Sequence, residues 1–237
     1  MGREVINAAE TQYTDIEITA GVDAFNCEGM PFPCSASFKD ARADVDVIID
    51  FSHHSCTNDL LAFAVENNLP LVLATTGQTY EERQAITEAS EKIPLFFASN
   101  YSMGIALLIE LAKKAAAAMP NAEIEIIEKH HDRKVDAPSG TALTIAEAIS
   151  SVRPDSFVVS GRSGNSCKRK PNEIGIASVR MGNIVGEHEV LIGTPNQTIS
   201  LKHEAHSRAL FAEGALSAAL FLKDKGPGLY NMDDLVK

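Results

Sequence analysis

Short apolar runs that stop at small polar residues alternate with helical segments through the first hundred residues, and this alternation constrains the fold more than any other feature. The runs are IEITAGV at 16–22, VDVIIDFS at 45–52, LPLVLATTG at 69–77 and IPLFFASN at 93–100, and the predicted helices are 57–67 and 79–92. Continuous apolar runs of this length are typical of strands buried on both faces. The pattern therefore predicts a βαβ series, an α/β fold built on a parallel sheet.

Small polar residues follow each predicted strand. Ligands of open parallel sheets bind in the crevice beyond the carboxyl ends of the strands. The residues expected at this crevice are Asp23, Ser52, Thr75, Thr76, Gly77, Ser99 and Asn100. Their small side chains would let a cofactor approach the backbone, but the same residue types also form ordinary turns. The pattern alone leaves both interpretations open.

A different pattern begins after the first hundred residues. A helix is predicted at 103–118, and the run AEIEIIEKHH at 122–131 alternates Glu with Ile as a strand with one buried face does. Three further strand-like runs follow at 173–182, 183–193 and 197–207. Hairpin-like turns between them predict an antiparallel sheet.

A dense polar cluster lies where the predicted strand 122–131 ends. Histidine titrates nearest to physiological pH, so His130 or His131 can exchange a proton with a substrate, and Lys134 adds a positive charge. Ser139 is a predicted N-cap, and the free N–H groups of the helix that follows form an anion site. Together these features suit a small dicarboxylate that requires acid catalysis, whereas a solvated loop that caps a helix is the structural alternative.

Charge and composition exclude several classes of protein. With 21 basic and 32 acidic residues the net charge is −11, which disfavours binding to nucleic acids or to anionic membranes. No apolar run reaches the about 18 residues of a membrane span, and no signal sequence begins the chain, so a cytoplasmic protein is predicted. The four cysteines lack the spacing of a zinc site or a disulfide scaffold, which predicts reduced thiols. Adjacent histidines at a strand end, with no carboxylate at ligand spacing, predict no metal site.

The run EIEIIEKHHDRKVDAPSGTAL at 123–143 closely resembles the signature of the dihydrodipicolinate reductase family, whose members are also called 4-hydroxy-tetrahydrodipicolinate reductases. The segments IIDFS, LATTG, FFASNYSMGI, VRMGNIVGEHEV and HSRALFAEGAL also match in the family's order and spacing, so the resemblance covers most of the chain.

The resemblance implies a two-domain enzyme. A Rossmann-like dinucleotide-binding domain at 1–101 would be completed by 209–237, which contains the last predicted helix. An α+β domain at 102–208, with a mainly antiparallel sheet, would bind the substrate and form the contacts of a homotetramer.

The family's functional positions carry over because the motif aligns without a gap. His130 matches the family's proposed acid/base residue and Lys134 matches its proton donor, while His131, Gly140 and Thr141 match substrate-binding positions. The implied reaction is the reduction of 4-hydroxy-tetrahydrodipicolinate, a small cyclic imine with two carboxylates, to tetrahydrodipicolinate in the diaminopimelate and lysine pathway. NADH or NADPH is the implied hydride donor.

The cofactor is assigned to two segments and one acidic residue. In the family, the nicotinamide cofactor contacts the positions matching Ala74, Thr75, Thr76, Ala98, Ser99, Asn100 and Tyr101. The family normally has glycine at the position of Ala74, so this chain adds one methyl group. Asp23 ends the second strand of the family's order, where an acidic residue can accept from ribose hydroxyls, and no arginine follows it to bind a 2′-phosphate. This favours NADH over NADPH.

The first residues match only the end of a family motif. Family members begin with a strand and a G-x-x-G-R-M-G-R phosphate-binding turn, of which Met1, Gly2 and Arg3 correspond to the last residues. The first strand and the earlier glycines are therefore expected to be missing. A start codon assigned too late, a fragment, and a relative that binds a dicarboxylate without cofactor or activity are the competing interpretations. A dehydrogenase acting on another imine or keto acid is a further alternative.

Overall fold

The computed structural model describes residues 1–13, 15–42, 44–165 and 167–236. The chain divides into two compact units, of which unit 1 comprises Met1–Met103 with Ala209–Lys237 and unit 2 comprises Gly104–Arg208.

Helices and strands follow one another closely along the described residues. The helices are α1 (Gly2–Thr11), α2 (Thr57–Glu66), α3 (Tyr80–Ser90), α4 (Met103–Ala118), α5 (Gly140–Val152), α6 (Ala209–Leu222) and α7 (Met232–Leu235). The strands are β1 (Gly21–Val22), β2 (Cys34–Ser35), β3 (Ile48–Asp50), β4 (Leu71–Leu73), β5 (Pro94–Phe97), β6 (Glu123–His130), β7 (Phe157–Ser160), β8 (Glu173–Arg180), β9 (Gly186–Thr194), β10 (Gln197–Ala205) and β11 (Gly228–Tyr230).

Unit 1 is built on a four-stranded parallel sheet in the order β11-β5-β4-β3. Asp50, Leu73 and Phe97 stand side by side in its register, so β3, β4 and β5 end level with one another. Ile48 packs with the core of α2 and α3, whereas Ile49 packs with the core of α1 and α6. Because successive side chains of a strand point to opposite faces, the sheet is covered by helices on both sides. The predicted Rossmann-like α/β class is confirmed.

One predicted strand is largely absent. Of the run 16–22, only Gly21 and Val22 form a ladder, and their partner is β2 rather than the four-stranded sheet. Ile16 and Ile18 instead pack against the core of α1 and α6. β-Branched residues form a strand only where a neighbouring backbone supplies hydrogen bonds. Here the apolar side chains are buried by packing, without a neighbouring strand.

The prediction of four reduced thiols is wrong for two of them. Cys27 and Cys34 form a disulfide with their Cα atoms 5.2 Å apart, while Cys56 and Cys167 are free. The loop between β1 and β2 folds back on itself and brings the two thiols together. Their spacing in the sequence carries no signal for this, because the pairing depends on the loop's tertiary path.

Unit 2 is built on a five-stranded sheet in the order β10-β9-β6-β8-β7. The sheet is mixed: β8 runs parallel to β6 and β7, while β9 runs antiparallel to β6 and β10. The expectation of a hairpin between β8 and β9 is wrong, because β6 lies between them. The β9–β10 hairpin is present as predicted, whereas β7 was not predicted.

The central strand β6 determines where the chemistry of unit 2 lies. Ile124, Ile126, Glu128 and His130 form its buried row, at every second residue. The two isoleucines join the core formed with α4 and α5, which covers this face of the sheet. Two ionisable side chains therefore continue an apolar row into the protein interior.

None of the helices in the described ranges is both long and apolar enough to cross a bilayer.

A glycine in α6 permits the close packing of unit 1. A Cβ atom at Gly214 would overlap the carbonyl oxygen of Tyr101, which is backbone and cannot rotate away. We expect Gly214→Ala to lower the free energy of unfolding by about 3 kcal/mol, although alanine favours the helix more than glycine does. Gly226→Ala is the control, since a Cβ there meets nothing within 4 Å. Urea unfolding of both variants measures the difference, and equal stabilities would contradict this packing.

Candidate active site

A histidine–glutamate pair ends the buried row of β6. The His130 Nδ1 atom lies 2.6 Å from the Glu128 Oε2 atom. The Glu128 side chain is fully buried, and His130 is 9% exposed. A buried carboxylate is costly unless it is paired and hydrogen-bonded, so the remaining partners of Glu128 decide whether this arrangement is sustainable.

Arg180 holds Glu128 through two parallel hydrogen bonds. Its two terminal nitrogens donate to Oε2 at 2.9 Å and to Oε1 at 2.8 Å. Arg180 ends β8 and stands beside His130 in the parallel register, which places its guanidinium within reach of the neighbouring strand. It also donates to the carbonyl oxygen of Asp136 at 2.6 Å. Bidentate pairs of this kind fix geometry as well as charge.

Glu128 also ties the strand to helix α5. The Ser139 backbone N–H donates to Glu128 Oε1 at 3.1 Å, and the Ser139 hydroxyl accepts from the Ala142 N–H at 3.2 Å as the N-cap of α5. The predicted cap and the predicted helix start are confirmed. The end of β6 and the start of α5 are thus joined through one carboxylate.

A second buried histidine completes the group. His188 of β9 places Nε2 3.1 Å from the Ser139 hydroxyl, and its ring meets the His130 ring edge-on with centroids 5.2 Å apart. Burial, and after it the nearby His130, lower the pKa of His188 to about 4. His188 is therefore neutral at physiological pH.

The charges of the pair follow from these contacts. Burial raises the pKa of Glu128, but hydrogen bonds from Arg180, Ser178 and His130 outweigh it and bring the pKa to about 2. Burial lowers the pKa of His130, the bond to Glu128 raises it, and the positive charges of Lys134 and Arg180 lower it, with a net decrease. An ionised carboxylate and a predominantly neutral imidazole result.

The other residues predicted for unit 2 follow the Glu128–His130 pair closely in the sequence. The Lys134 amine lies 2.8 Å from the Asp136 carboxylate, and this contact lowers the pKa of Asp136. The His131 Nδ1 atom is buried, with no hydrogen-bond partner among the described residues. Gly140 and Thr141 are the first two residues of α5, and a Cβ at Gly140 would meet nothing within 4 Å. The structure thus brings the predicted residues to one strand end and one helix start.

The residues predicted for unit 1 follow adjacent strands. Ala74, Thr75 and Thr76 come after β4, and 98–101 come after β5. The Thr75 hydroxyl donates to the buried Asp50 carboxylate at 2.6 Å. The Tyr101 side chain belongs to the core, because its hydroxyl lies 2.9 Å from the Leu73 carbonyl and its ring is buried.

Asp23 lies apart from the four-stranded sheet. It follows β1, and its Oδ1 accepts from the N–H groups of Phe25 at 2.9 Å and Asn26 at 3.0 Å. The bond from Phe25 lowers the pKa of Asp23 although partial desolvation opposes it. A ribose contact by this ionised carboxylate stays a prediction.

Sequence reasoning missed four residues that the structure places beside the predicted site residues: Asp50, Glu128, Arg180 and His188. For Glu128 a signal existed, since it lies two residues before His130 on the same face of a strand. His188 and Arg180 come from strands β9 and β8, and only the pairing of those strands with β6 brings them near.

Comparisons with known proteins agree over the whole chain. Residues 1–101 match the family model described as dihydrodipicolinate reductase, N-terminus, and residues 104–236 match the one described as dihydrodipicolinate reductase, C-terminus. A protein of Caldanaerobacter subterraneus subsp. tengcongensis named 4-hydroxy-tetrahydrodipicolinate reductase is 47% identical over 238 residues, which cover 100% of this chain and 94% of that protein. One of the same name from Clostridium novyi is 42% identical over 239 residues, with the same coverage.

A solved structure shares the fold. Dipicolinate-bound dihydrodipicolinate reductase from Paenisporosarcina sp. TG-14 aligns with a TM-score of 0.80 at 26% sequence identity, over 99% of this chain and 94% of that one.

Buried, neutral His188 predicts an acid-sensitive fold. In the unfolded chain its pKa returns to the ordinary value near 6.5, so between pH 6.5 and 4 the unfolded state binds more protons and stability falls as pH falls. The contribution is about 3 kcal/mol across this window. We expect His188→Gln to flatten the pH dependence of the free energy of unfolding, with His206→Gln, at an exposed position, as control. Denaturant titrations at several pH values test this. The same dependence of unfolding free energy on pH in the wild type and both variants would contradict it.

Proposed function

Because the chain belongs to the dihydrodipicolinate reductase family, we propose that it reduces 4-hydroxy-tetrahydrodipicolinate to tetrahydrodipicolinate with NADH or NADPH. The family and its named relatives make the chain an oxidoreductase. The proposed place of this reaction is the diaminopimelate and lysine pathway. The observation that carries the proposal is the junction of β6 and α5, where His130 and Lys134 accompany the start of a helix.

The junction suits a small dicarboxylate. Helix starts offer unpaired N–H groups and a positive dipole end to anions, and Gly140 leaves open space at the start of α5. The solved relative from Paenisporosarcina sp. TG-14 is bound to dipicolinate, a planar dicarboxylate. We assign His131, Gly140 and Thr141 to the substrate carboxylates. Since the His131 Nδ1 atom is buried without a partner among the described residues, we assign the ring proton to Nε2, which makes Nε2–H a donor.

Proton transfer falls to His130 and Lys134. The reaction removes the 4-hydroxyl of the substrate as water, which requires a proton on the leaving oxygen. Lys134 carries a positive charge beside Asp136 and would supply that proton. His130, whose pKa is lowered by burial, would exchange the accompanying proton as a general acid/base. When bound, the reduced nicotinamide supplies the hydride.

Unit 1 has groups that fit a pyridine nucleotide. The side-chain oxygen of Gln78 is buried without a partner in the described ranges, directly after the turn at Gly77, and this turn follows the assigned Ala74–Thr76 segment. An unpaired acceptor in that position fits an amide donor of a ligand. We therefore propose 1–101 with 209–237 as the dinucleotide-binding domain and 102–208 as the substrate-binding domain. The second cofactor segment is Ala98, Ser99, Asn100 and Tyr101.

Asp23 bears on the choice between NADH and NADPH. Asp23 is ionised and can accept from ribose hydroxyls, while a 2′-phosphate would face its negative charge, which favours NADH over NADPH. A cytoplasmic location, where this biosynthetic chemistry and its reduced cofactor would be found, stays a prediction.

A coupled assay tests the function. Purified protein receives freshly generated 4-hydroxy-tetrahydrodipicolinate with NADH or with NADPH, and oxidation of the nicotinamide is followed by absorbance. We expect turnover with both cofactors and a higher kcat/KM with NADH. Calorimetric titration of each cofactor separates the alternatives, since pyridine-2,6-dicarboxylate binding without any nucleotide binding would favour a dicarboxylate-binding protein. Turnover of other imines or keto acids alone would favour a different dehydrogenase.

His130 should be required for turnover. We expect His130→Ala to lower kcat by about two to four orders of magnitude, because general acid/base groups contribute effects of this size. The circular dichroism spectrum should be unchanged. His206→Ala, at an exposed position in the same unit, should retain the wild-type rate. A near-wild-type rate for His130→Ala would remove His130 from the mechanism.

We propose that unit 2 also forms the contacts of a homotetramer. On the sheet face opposite α4 and α5, Ile127 and Leu191 are half-buried and Val179 is 38% exposed, and charged side chains such as Glu125 and Lys129 lie between them. We expect light scattering to give a mass about four times that of the 25.5 kDa chain. Leu191→Lys should reduce this mass, whereas Leu220→Lys, at an exposed position on α6, should not. A wild-type monomer would contradict the proposal.

A further inference from the structure

The two nitrogens of the His130 ring have different surroundings. Nδ1 lies 2.6 Å from Glu128, whereas Nε2 lies on the side of Gly186, where an added Cβ would come within 3.2 Å of it. Gly186 has an ordinary backbone conformation, so the missing side chain is needed for ring space rather than for a turn. Nε2 is thus the nitrogen that remains for exchange with a substrate.

Among the described residues, the charged and titratable groups that act on His130 come from three strands and one loop. Glu128 lies on the same strand, Arg180 on β8, His188 on β9 and Lys134 on the loop that follows. His188 meets the His130 ring edge-on with centroids 5.2 Å apart, and Lys134 and Arg180 are donors. Glu128, 2.6 Å from Nδ1, is therefore the acceptor placed for a ring proton, and a proton on Nδ1 is the state that its carboxylate stabilises.

Glu128 itself cannot rotate away from His130. Two nitrogens of Arg180 and the N–H of Ser139 bind its oxygens and, with the hydrogen bond from Ser178, fix the carboxylate in place. We infer that Glu128 is a positioning residue which holds His130 as the Nδ1-protonated tautomer and so leaves Nε2 to exchange the substrate's proton. Arg180 in turn holds Glu128.

This inference rests on the proposed function only for its effect on turnover. In many enzymes a carboxylate that accepts from one ring nitrogen of a histidine orients the ring and fixes its tautomer, and the Glu128–His130 contact has this geometry. A purely structural role for the Glu128–Arg180 pair predicts a change in stability alone. A positioning role predicts in addition a change in the tautomer of His130 and in the pH dependence of turnover.

The first measurement needs no activity. In wild-type protein labelled with ¹⁵N-histidine, the nitrogen shifts report which ring nitrogen carries the proton, and a His130→Gln sample assigns the signal. We expect His130 to be protonated on Nδ1 at neutral pH. An Nε2-protonated ring in the wild type would overturn the inference, whether or not the proposed function holds.

The second measurement is a variant. In Glu128→Gln the amide presents a donor or a weaker acceptor to Nδ1, so we expect kcat to fall about 100-fold or more, with KM changing less than about threefold. The acidic limb of the pH profile should move to lower pH, because the carboxylate that favours the imidazolium is gone. Unchanged kcat and an unchanged profile would overturn the inference.

Controls separate positioning from folding. Glu187→Gln removes an ionised glutamate of β9 that pairs with Lys129 and Lys202, and it should retain the wild-type tautomer and rate. Should Glu128→Gln alone fail to fold because Arg180 is left unpaired, Glu128→Gln with Arg180→Met removes both charges. In that protein, loss of the Nδ1 proton of His130 supports the inference, and its retention overturns it.

Discussion

The fully buried carboxylate of Glu128 is the constraint on which the arrangement of unit 2 depends. An ionised group taken out of water is stabilised only if its oxygens are nearly saturated with hydrogen bonds. Arg180 supplies two of these hydrogen bonds, and the Ser139 backbone, His130 and Ser178 supply one each. These donors lie at the end of β6, at the end of β8 and at the start of α5, so satisfying one carboxylate fixes these three places.

The same contacts link stability with chemistry. Replacing a buried ion pair by apolar residues is often neutral or stabilising, so stability alone gives little reason for Glu128 and Arg180. An apolar pair could continue the row begun by Ile124 and Ile126. What it could not do is accept a proton from the His130 ring. The buried carboxylate of Glu128 is therefore better explained by its contact with His130 than by stability.

Sequence patterns predicted the elements of this fold better than their partners. The alternation of Glu and Ile in β6 and the cap at Ser139 are local, and both were predicted because local spacing determines them. The pairing of β8 with β6 rather than with β9, and the Cys27–Cys34 disulfide, depend on contacts between distant segments, which no periodicity encodes. His130 was found through its motif, whereas Arg180 depends on a strand register.

The protonation of His130 depends on several neighbouring groups with opposite effects on its pKa. Glu128 favours the charged form of His130, but burial together with the positive charges of Lys134 and Arg180 outweighs it. In the proposed mechanism the charged Lys134 gives a proton and the neutral His130 is able to take one. Removing either positive charge would make His130 easier to protonate and blur this division. The proposed acid and base roles therefore depend on the whole cluster rather than on either residue alone.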